Sequence, residues 1–144
     1  MLDKMLQLVV NAHSGQTDKA GIPYAFHCIA VMQMLDKDAD EELKCIALGH
    51  DLFEDTDVTF TDIINDFGVR VANGILALTK IKGITYDDYI ERICANEDAA
   101  RVKLCDLRHN SDITRLKGVT DKDMARVAKY HRAYAKIKEC YESE

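Results

Sequence analysis

Residues 48–56 read LGHDLFEDT, and this stretch places chemically active side chains at the end of an apolar segment. The apolar residues that lead into it recur at helical spacing: Leu43, Ile46, Ala47 and Leu48. This spacing predicts the inward end of a buried helix, with His50 and Asp51 as its last residues. An unpaired carboxylate costs several kcal/mol in such a place, so it requires a partner, hydrogen bonds or a metal ion.

Glu54 and Asp55 follow Asp51 by three and four residues. If the helix continues for one more turn, the three carboxylates share one helix face, because residues at these spacings are neighbours. If the helix ends, Glu54 and Asp55 cap it or form a solvated acidic loop. The sequence leaves these alternatives open.

Apolar residues recur at helical spacing along almost the whole chain, and no alternating strand pattern competes with them. The predicted breaks are 15–23, 36–40, 55–59, 68, 80–85, 95–98 and 116–121. Thr59 and Thr85 are predicted N-caps, since each is followed by an aspartate three residues later. The pattern predicts seven or eight helices in an all-α bundle, with residues 1–144 forming a single domain.

The composition of the chain limits its partners. Nineteen Lys and Arg residues against 25 Asp and Glu residues give a net charge of −6, which argues against binding to duplex nucleic acid. Five cysteines form no CxxC pair, and there is neither a leader-like N-terminus nor an apolar run of about 18 residues. We therefore expect a soluble, cytoplasmic protein with no membrane partner and with cysteines that are mostly buried. The oligomeric state is left undetermined.

Two further residues offer metal ligands in an apolar context. His27 lies in PYAFHCIAV, residues 23–31, and Asp106 lies in RVKLCDLRHN, residues 101–110. Together with His50 and Asp51 they would supply two imidazoles and two carboxylates from three helices of a bundle. Mn²⁺ and Fe²⁺ suit this mixture, and Zn²⁺ also remains possible. The sequence predicts one divalent ion.

Each of these residues also has a simpler interpretation. A histidine on an apolar face is usually a hydrogen-bonded core residue, and Asp106 could pair with Lys103 or Arg108 on its own helix. We favour the metal site because the simpler interpretations would all have to hold at once. His13 and His131 have no such neighbours, and we expect both to be ordinary polar residues.

Three stretches then resemble a known family. HSGQTDKAGIPYAFH (13–27), ALGHDLFEDTDVT (47–59) and VKLCDLRHN (102–110) are similar to the hydrolase domain of RelA/SpoT proteins and of the stand-alone small alarmone hydrolases, a branch of the HD-domain phosphohydrolases. The resemblance implies an all-α HD fold that hydrolyses nucleotides. The reaction would remove the 3′-pyrophosphate of guanosine tetra- or pentaphosphate. One Mn²⁺ would be held by His27, His50, Asp51 and Asp106.

The resemblance also implies roles for other residues. Glu54 and Asp55 would orient or deprotonate the attacking water, and Lys19 and Asn110 would contact the nucleotide. Basic residues near the predicted ligands or in nearby loops are candidates for binding the phosphate oxygens. These candidates are Lys103, Arg108 and Arg115, with Lys80 and Lys82 as weaker ones. His109, three residues after Asp106, could support a ligand or contact substrate.

The chain departs from the family pattern around the base. Asp18 stands where the family has an arginine that stacks on guanine, and an aspartate cannot stack as a guanidinium does. Cys28 replaces a proline, and residues 111–113 lose a basic and a hydroxyl position. Two alternatives to an alarmone hydrolase are therefore kept. The substrate could be another nucleotide, such as a nucleoside 5′-monophosphate or NADPH, or the protein could be a regulatory module without turnover.

Overall fold

The computed structural model describes residues 1–142, and the regular secondary structure of these residues is helical apart from one isolated β-bridge between Thr17 and Pro23. Within this range there are nine α-helices: α1 (Leu2–Ala12), α2 (Ala25–Gln33), α3 (Glu41–Leu48), α4 (Leu52–Asp55), α5 (Phe60–Phe67), α6 (Val69–Ala77), α7 (Tyr86–Cys94), α8 (Glu97–Asn110) and α9 (Asp121–Glu142). A 3₁₀ turn spans Ile113–Arg115. The predicted all-α class is confirmed, and eight helices are longer than the single turn of α4. The assignment of residues 1–144 to one domain stays a prediction.

The helix ends follow from their capping chemistry. Thr59 accepts a hydrogen bond from the Asp62 backbone, and the Asp62 side chain accepts one from the Thr59 backbone, which completes the predicted capping box of α5. Thr85 likewise accepts from the Asp88 backbone at the start of α7. Gly68 has φ 93° between α5 and α6, a left-handed value that favours glycine. The predicted breaks that contain Thr59, Gly68 and Thr85 therefore lie where the local chemistry ends or begins a helix, whereas α8 already begins at Glu97, inside the predicted break 95–98.

Helix α3 lies at the centre of the core and packs against α1, α2, α6 and α8. Residues 43 and 45–48 are all buried. Gly74 allows α6 to approach closely, since a Cβ atom there would lie 2.6 Å from Cδ1 of Ile46. The most buried helix of the fold is therefore the one that leads into the LGHDLFEDT stretch.

The prediction that His50 and Asp51 are the last residues of the buried helix was wrong. The helix stops at Leu48, and Asp51 becomes the N-cap of the short helix α4. A Cβ atom at Gly49 would lie 2.9 Å from Cδ1 of Ile75, so the turn is pressed against α6. His50 and Asp51 therefore lie on a tight turn between two helices, and Glu54 and Asp55 lie in α4.

Arg70 joins three elements at one edge of the bundle. Its guanidinium binds both carboxylate oxygens of Asp98 at 2.8 and 2.9 Å and contacts Asp40, the N-cap of α3, at 2.7 Å. Such paired charge-assisted bonds hold α3, α6 and α8 in register.

Two expectations from composition can be compared with the fold. Three of the five cysteines are buried, at 28, 45 and 105, while Cys94 and Cys140 are half-buried. None of the helices in residues 1–142 combines the length and the hydropathy that crossing a bilayer requires.

Candidate metal centre and active site

The four predicted ligands converge from three parts of the chain. His27 comes from α2, His50 and Asp51 from the α3–α4 turn, and Asp106 from α8. Ligand atoms of His27, His50 and Asp51 lie within 4.8 Å of one another. Oδ1 of Asp106 lies 2.9 Å from Nε2 of His27 and 3.4 Å from Nε2 of His50. The fold therefore brings all four side chains to one buried point.

The orientation of His50 is fixed by the backbone. Its Nδ1 lies 2.7 Å from the carbonyl oxygen of Ala47. A carbonyl oxygen can only accept a hydrogen bond, so Nδ1 carries the hydrogen and the lone pair of the neutral ring is on Nε2. This is the arrangement that positions a histidine for metal binding.

The contacts of the His50 Nε2 atom indicate whether the four predicted ligands are suited to a cation. This atom lies 3.0 Å from Oδ2 of Asp51 and 3.4 Å from Oδ1 of Asp106, yet it makes no hydrogen bond to either. Atoms that share a first-row ion lie about 3 Å apart, because each is about 2.1 Å from the metal. A lone pair facing two carboxylates is repulsive unless a cation or a proton lies among them. The donor set fits one divalent ion.

His27 is supported by a second imidazole. Its Nε2 faces Asp106, and its Nδ1 lies 2.7 Å from Nδ1 of His109. Burial, and then the neighbouring His27, lower the pKa of His109. A neutral His109 ring can accept the Nδ1 hydrogen of His27. His109 therefore has the supporting contact that its spacing from Asp106 predicted.

Both carboxylate ligands have protein partners as well. Tyr24 donates its hydroxyl hydrogen to Oδ2 of Asp51 at 2.5 Å. Oδ2 of Asp106 binds Nζ of Lys103 at 2.9 Å, and Oδ1 accepts from the amide of Asn110 at 3.1 Å. The pairing of Asp106 with Lys103, weighed as a simpler interpretation, thus coexists with the cluster. One oxygen faces the lysine, and the other faces the two imidazoles.

The charges of the cluster stabilise one another. Burial alone would lower the pKa of His50, but Asp51 and Asp106 outweigh it and raise this pKa well above the usual range. Burial alone would raise the pKa of both aspartates. At Asp51 the neighbouring His50 outweighs this effect of burial, and at Asp106 Lys103 and His50 outweigh it. The pKa values of both aspartates are therefore lowered. Both carboxylates are therefore ionised, and a divalent ion bound by them would displace the proton of His50.

Glu54 and Asp55 lie beside Asp51 at the rim of the cluster. Carboxylate oxygens of these three residues lie within 4.8 Å of one another. Oε1 of Glu54 accepts the backbone N–H of Lys80 at 2.5 Å. Burial, and then the neighbouring carboxylates, raise the pKa of Glu54 and of Asp55. Both side chains reach solvent, so they are accessible to a water molecule.

A cavity of about 240 Å³ adjoins the cluster. Tyr24 and Asn110 line it and also bind Asp51 and Asp106, so the cavity and the cluster share a wall. Its cationic lining residues are Lys19, Arg115 and Arg126. Both nucleotide contacts that the resemblance implied, Lys19 and Asn110, are therefore at this cavity.

The loop before α2 differs from the family at Asp18, and the structure shows what the aspartate does. Its Oδ1 accepts backbone hydrogen bonds from Ala20 at 2.8 Å and Ile22 at 3.0 Å. Its Oδ2 binds the guanidinium of Arg115 at 3.1 Å. The guanidinium of residue 115, which follows α8, is therefore held beside position 18.

The remaining predicted cations are not brought to this cavity. Lys103 is bound to Asp106, and its Nζ lies 5.3 Å from the centre of the Tyr89 ring. Arg108 is exposed and lines two other cavities, both together with Tyr134 of α9. Nζ of Lys80 lies 5.7 Å from the centre of the Tyr86 ring. Contacts from Lys103 and Arg108 to substrate stay predictions.

Two residues near the centre were missed from the sequence. His13, expected to be ordinary, is 2% exposed and lies against Tyr24, with ring centres 5.2 Å apart. A signal was available, because His13 continues the buried stripe of Met5 and Val9 by a further four residues. Tyr24 had no comparable signal, since its contact with Asp51 spans 27 residues.

This helical fold with its buried His-Asp cluster defines an HD-type protein. The HD domain family model matches residues 6–110, so the chain belongs to the HD-domain family. A guanosine-3′,5′-bis(diphosphate) 3′-pyrophosphohydrolase from Aquifex aeolicus is 32% identical over 117 residues, covering 77% of this chain and 17% of that protein. The bifunctional (p)ppGpp synthase/hydrolase SpoT of Escherichia coli is 36% identical over 87 residues, covering 60% and 12%. The predicted similarity to RelA/SpoT-type hydrolases is confirmed.

The chain spans less than a fifth of the length of these curated relatives. A solved structure of a metazoan ortholog of SpoT, described as hydrolysing ppGpp with a role in starvation responses, matches 99% of this chain and 94% of that chain. Its TM-score is 0.70 at 24% sequence identity, which supports the fold.

Proposed function

We propose that this chain is a metal-dependent nucleotide (pyro)phosphohydrolase that removes the 3′-pyrophosphate of guanosine tetra- or pentaphosphate. The observation that carries the proposal is the wall, formed by Tyr24 and Asn110, that the ligand cluster shares with the cavity. Lys19, Arg115 and Arg126 line this cavity together with three aspartates, at 18, 112 and 123. A phosphate group in this cavity would lie next to the cluster. The activity named for the relatives suggests the substrate.

His27, His50, Asp51 and Asp106 would hold one divalent ion. When bound, such an ion supplies a Lewis acid for a phosphoryl oxygen and lowers the pKa of water from about 15.7 toward neutrality. The mixed nitrogen and oxygen donors favour Mn²⁺, with Fe²⁺ or Zn²⁺ as alternatives. The partner expected at this site is a small nucleotide.

The protein's own residues would handle the proton and the phosphates. Glu54 or Asp55 accepts the proton of the attacking water, a service worth about 10²- to 10⁴-fold in rate. The raised pKa of both carboxyl groups makes each a better base than an ordinary surface carboxylate. Lys19 and Arg115 would bind phosphate oxygens, and Asn110 would contact the nucleotide while it holds Asp106.

A second substrate class is favoured by Asp18. This side chain is committed to Ala20, Ile22 and Arg115, so position 18 offers no flat cation to a base. The guanidinium of Arg115 lines the cavity, and we infer that it favours a different nucleotide. A nucleoside 5′-monophosphate or NADPH is therefore the alternative substrate, with the chemistry unchanged.

The experiment is a turnover screen of the Mn²⁺-loaded protein against guanosine tetraphosphate, guanosine pentaphosphate, nucleoside 5′-monophosphates and NADPH. We expect guanosine tetraphosphate and water to give GDP and pyrophosphate. Asp106→Asn is the matched control, because it removes a ligand charge at constant size. Release of orthophosphate from a monophosphate or NADPH, with no pyrophosphate from the alarmones, would reject the alarmone as substrate and support the alternative. Full metal loading without turnover of any compound would indicate a regulatory module.

A further inference from the structure

His13 is a buried histidine near the proposed catalytic centre, and one of its ring nitrogens makes no hydrogen bond to the described residues. It follows α1 directly and is 2% exposed. Its Nε2 atom is inaccessible to solvent and has no hydrogen-bond partner among residues 1–142. Buried polar atoms are nearly always paired, so an exception of this kind calls for a specific explanation.

Gln16 determines which nitrogen of His13 carries the hydrogen. The Gln16 side-chain amide donates to the backbone carbonyl of Asp55 at 2.9 Å, which fixes the direction of the amide. Its Oε1 then faces Nδ1 of His13 at 2.8 Å. Because an amide oxygen only accepts, Nδ1 is the donor, and Nε2 of the neutral ring carries an unused lone pair.

The surroundings of the ring link it to the reacting region. The His13 ring lies 5.2 Å from the Tyr24 ring, and the Tyr24 hydroxyl binds Asp51. Gln16 connects His13 to the backbone of Asp55. One side chain therefore separates His13 from each carboxylate residue: Tyr24 on the side of Asp51 and Gln16 on the side of Asp55.

We propose that His13 is a positioning residue whose Nε2 accepts a hydrogen bond from a water molecule held in the catalytic centre beside Asp55. Ordered water is the usual partner of a buried polar atom that has none in the protein. In the proposed hydrolysis, on which the catalytic part of this inference rests, the lone pair of His13 orients the water while Glu54 or Asp55 takes its proton. No covalent bond to His13 forms.

Two substitutions distinguish the roles of the two ring nitrogens. His13→Asn keeps a donor where Nδ1 was and removes the acceptor at Nε2. His13→Gln reaches the place of Nε2 with an amide oxygen, which also accepts. We expect His13→Asn to lower kcat at least about tenfold, with KM and bound Mn²⁺ unchanged, and His13→Gln to recover most of the loss. A wild-type kcat in His13→Asn, or an equal loss in both variants, would overturn the proposal.

A structural measurement tests the bound water without any substrate. We expect a high-resolution crystal structure of the Mn²⁺-loaded protein to show a water within about 3 Å of His13 Nε2, and that of His13→Asn to lack it. A wild-type structure without this water would overturn the inference. If the wild-type protein hydrolyses no nucleotide, the proposed function fails, and the crystal structure alone decides whether His13 binds water.

Discussion

The Nδ1 atoms of His27 and His109 lie 2.7 Å apart, so one imidazole must donate a hydrogen to the other. With His27 as donor, its Nε2 is directed at the metal position, and His109 acts as the fixed acceptor. Removing such a supporting partner typically costs about 10- to 100-fold in metal affinity. We therefore expect His109→Phe to weaken Mn²⁺ binding by that factor, measured by competition with a chelator.

His131→Phe is the control for this prediction, because His131 is exposed on α9 and lines a different cavity. It should leave Mn²⁺ affinity unchanged. Wild-type affinity in His109→Phe would mean that the contact between the two rings does not support the ligand.

Asp51→Ala is expected to remove metal and activity together. Asp51 supplies an oxygen 3.0 Å from Nε2 of His50, and its loss leaves the cluster with one fewer charge for the cation. The measurement is metal stoichiometry in the purified variant, read beside turnover. Asp57→Ala, in the exposed loop after α4, should keep both. Stoichiometric metal in Asp51→Ala would reject the ligand assignment.

Glu54→Gln is expected to leave metal and fold in place while kcat falls at least about a hundredfold. A glutamine oxygen can still accept the Lys80 N–H, so helix α4 keeps its contact with the loop after α6. The parallel variant Asp55→Asn identifies which carboxyl group takes the proton. An unchanged kcat in both variants would exclude a base role for the pair.

Arg115→Met is expected to raise KM about tenfold with little change in kcat, since Arg115 lines the cavity but touches none of the four ligands. Asp18→Asn should show a smaller effect, because asparagine keeps an oxygen for the Ala20 and Ile22 backbone. Arg132→Met, at an exposed site on α9, is the control. A KM equal to that of the wild-type protein in Arg115→Met would place the phosphates elsewhere.

Much of the fold could be predicted because a buried helix face repeats its apolar residues with the helical period. The convergence of the four ligands could also be predicted, since buried charges require partners wherever they come from. The end of α3 could not, because it depends on Gly49 meeting Ile75 from another helix.

The contacts around the cavity were harder to predict from the sequence. The pairing of Asp18 with Arg115 spans 97 residues, and nothing local to either position indicates it. The pairing of Asp106 with Lys103, three residues away on the same helix, was one of the alternatives that the sequence offered, and a contact of Lys103 with substrate stays a prediction. Local patterns identify which residues must be paired, whereas the choice among several possible partners is made by tertiary packing.

The side chain that Gly49 lacks restricts how a protein of this kind can diversify. Any larger residue would push against Ile75, and a displacement of a few tenths of an ångström at this turn would spoil the alignment of His50 with the opposite helices. Position 18 is restricted in another way, because its side chain binds the Ala20 and Ile22 backbone and Arg115. A change at position 18 would alter hydrogen bonds beside the cavity, whereas a change at Gly49 would displace a residue of the metal cluster itself.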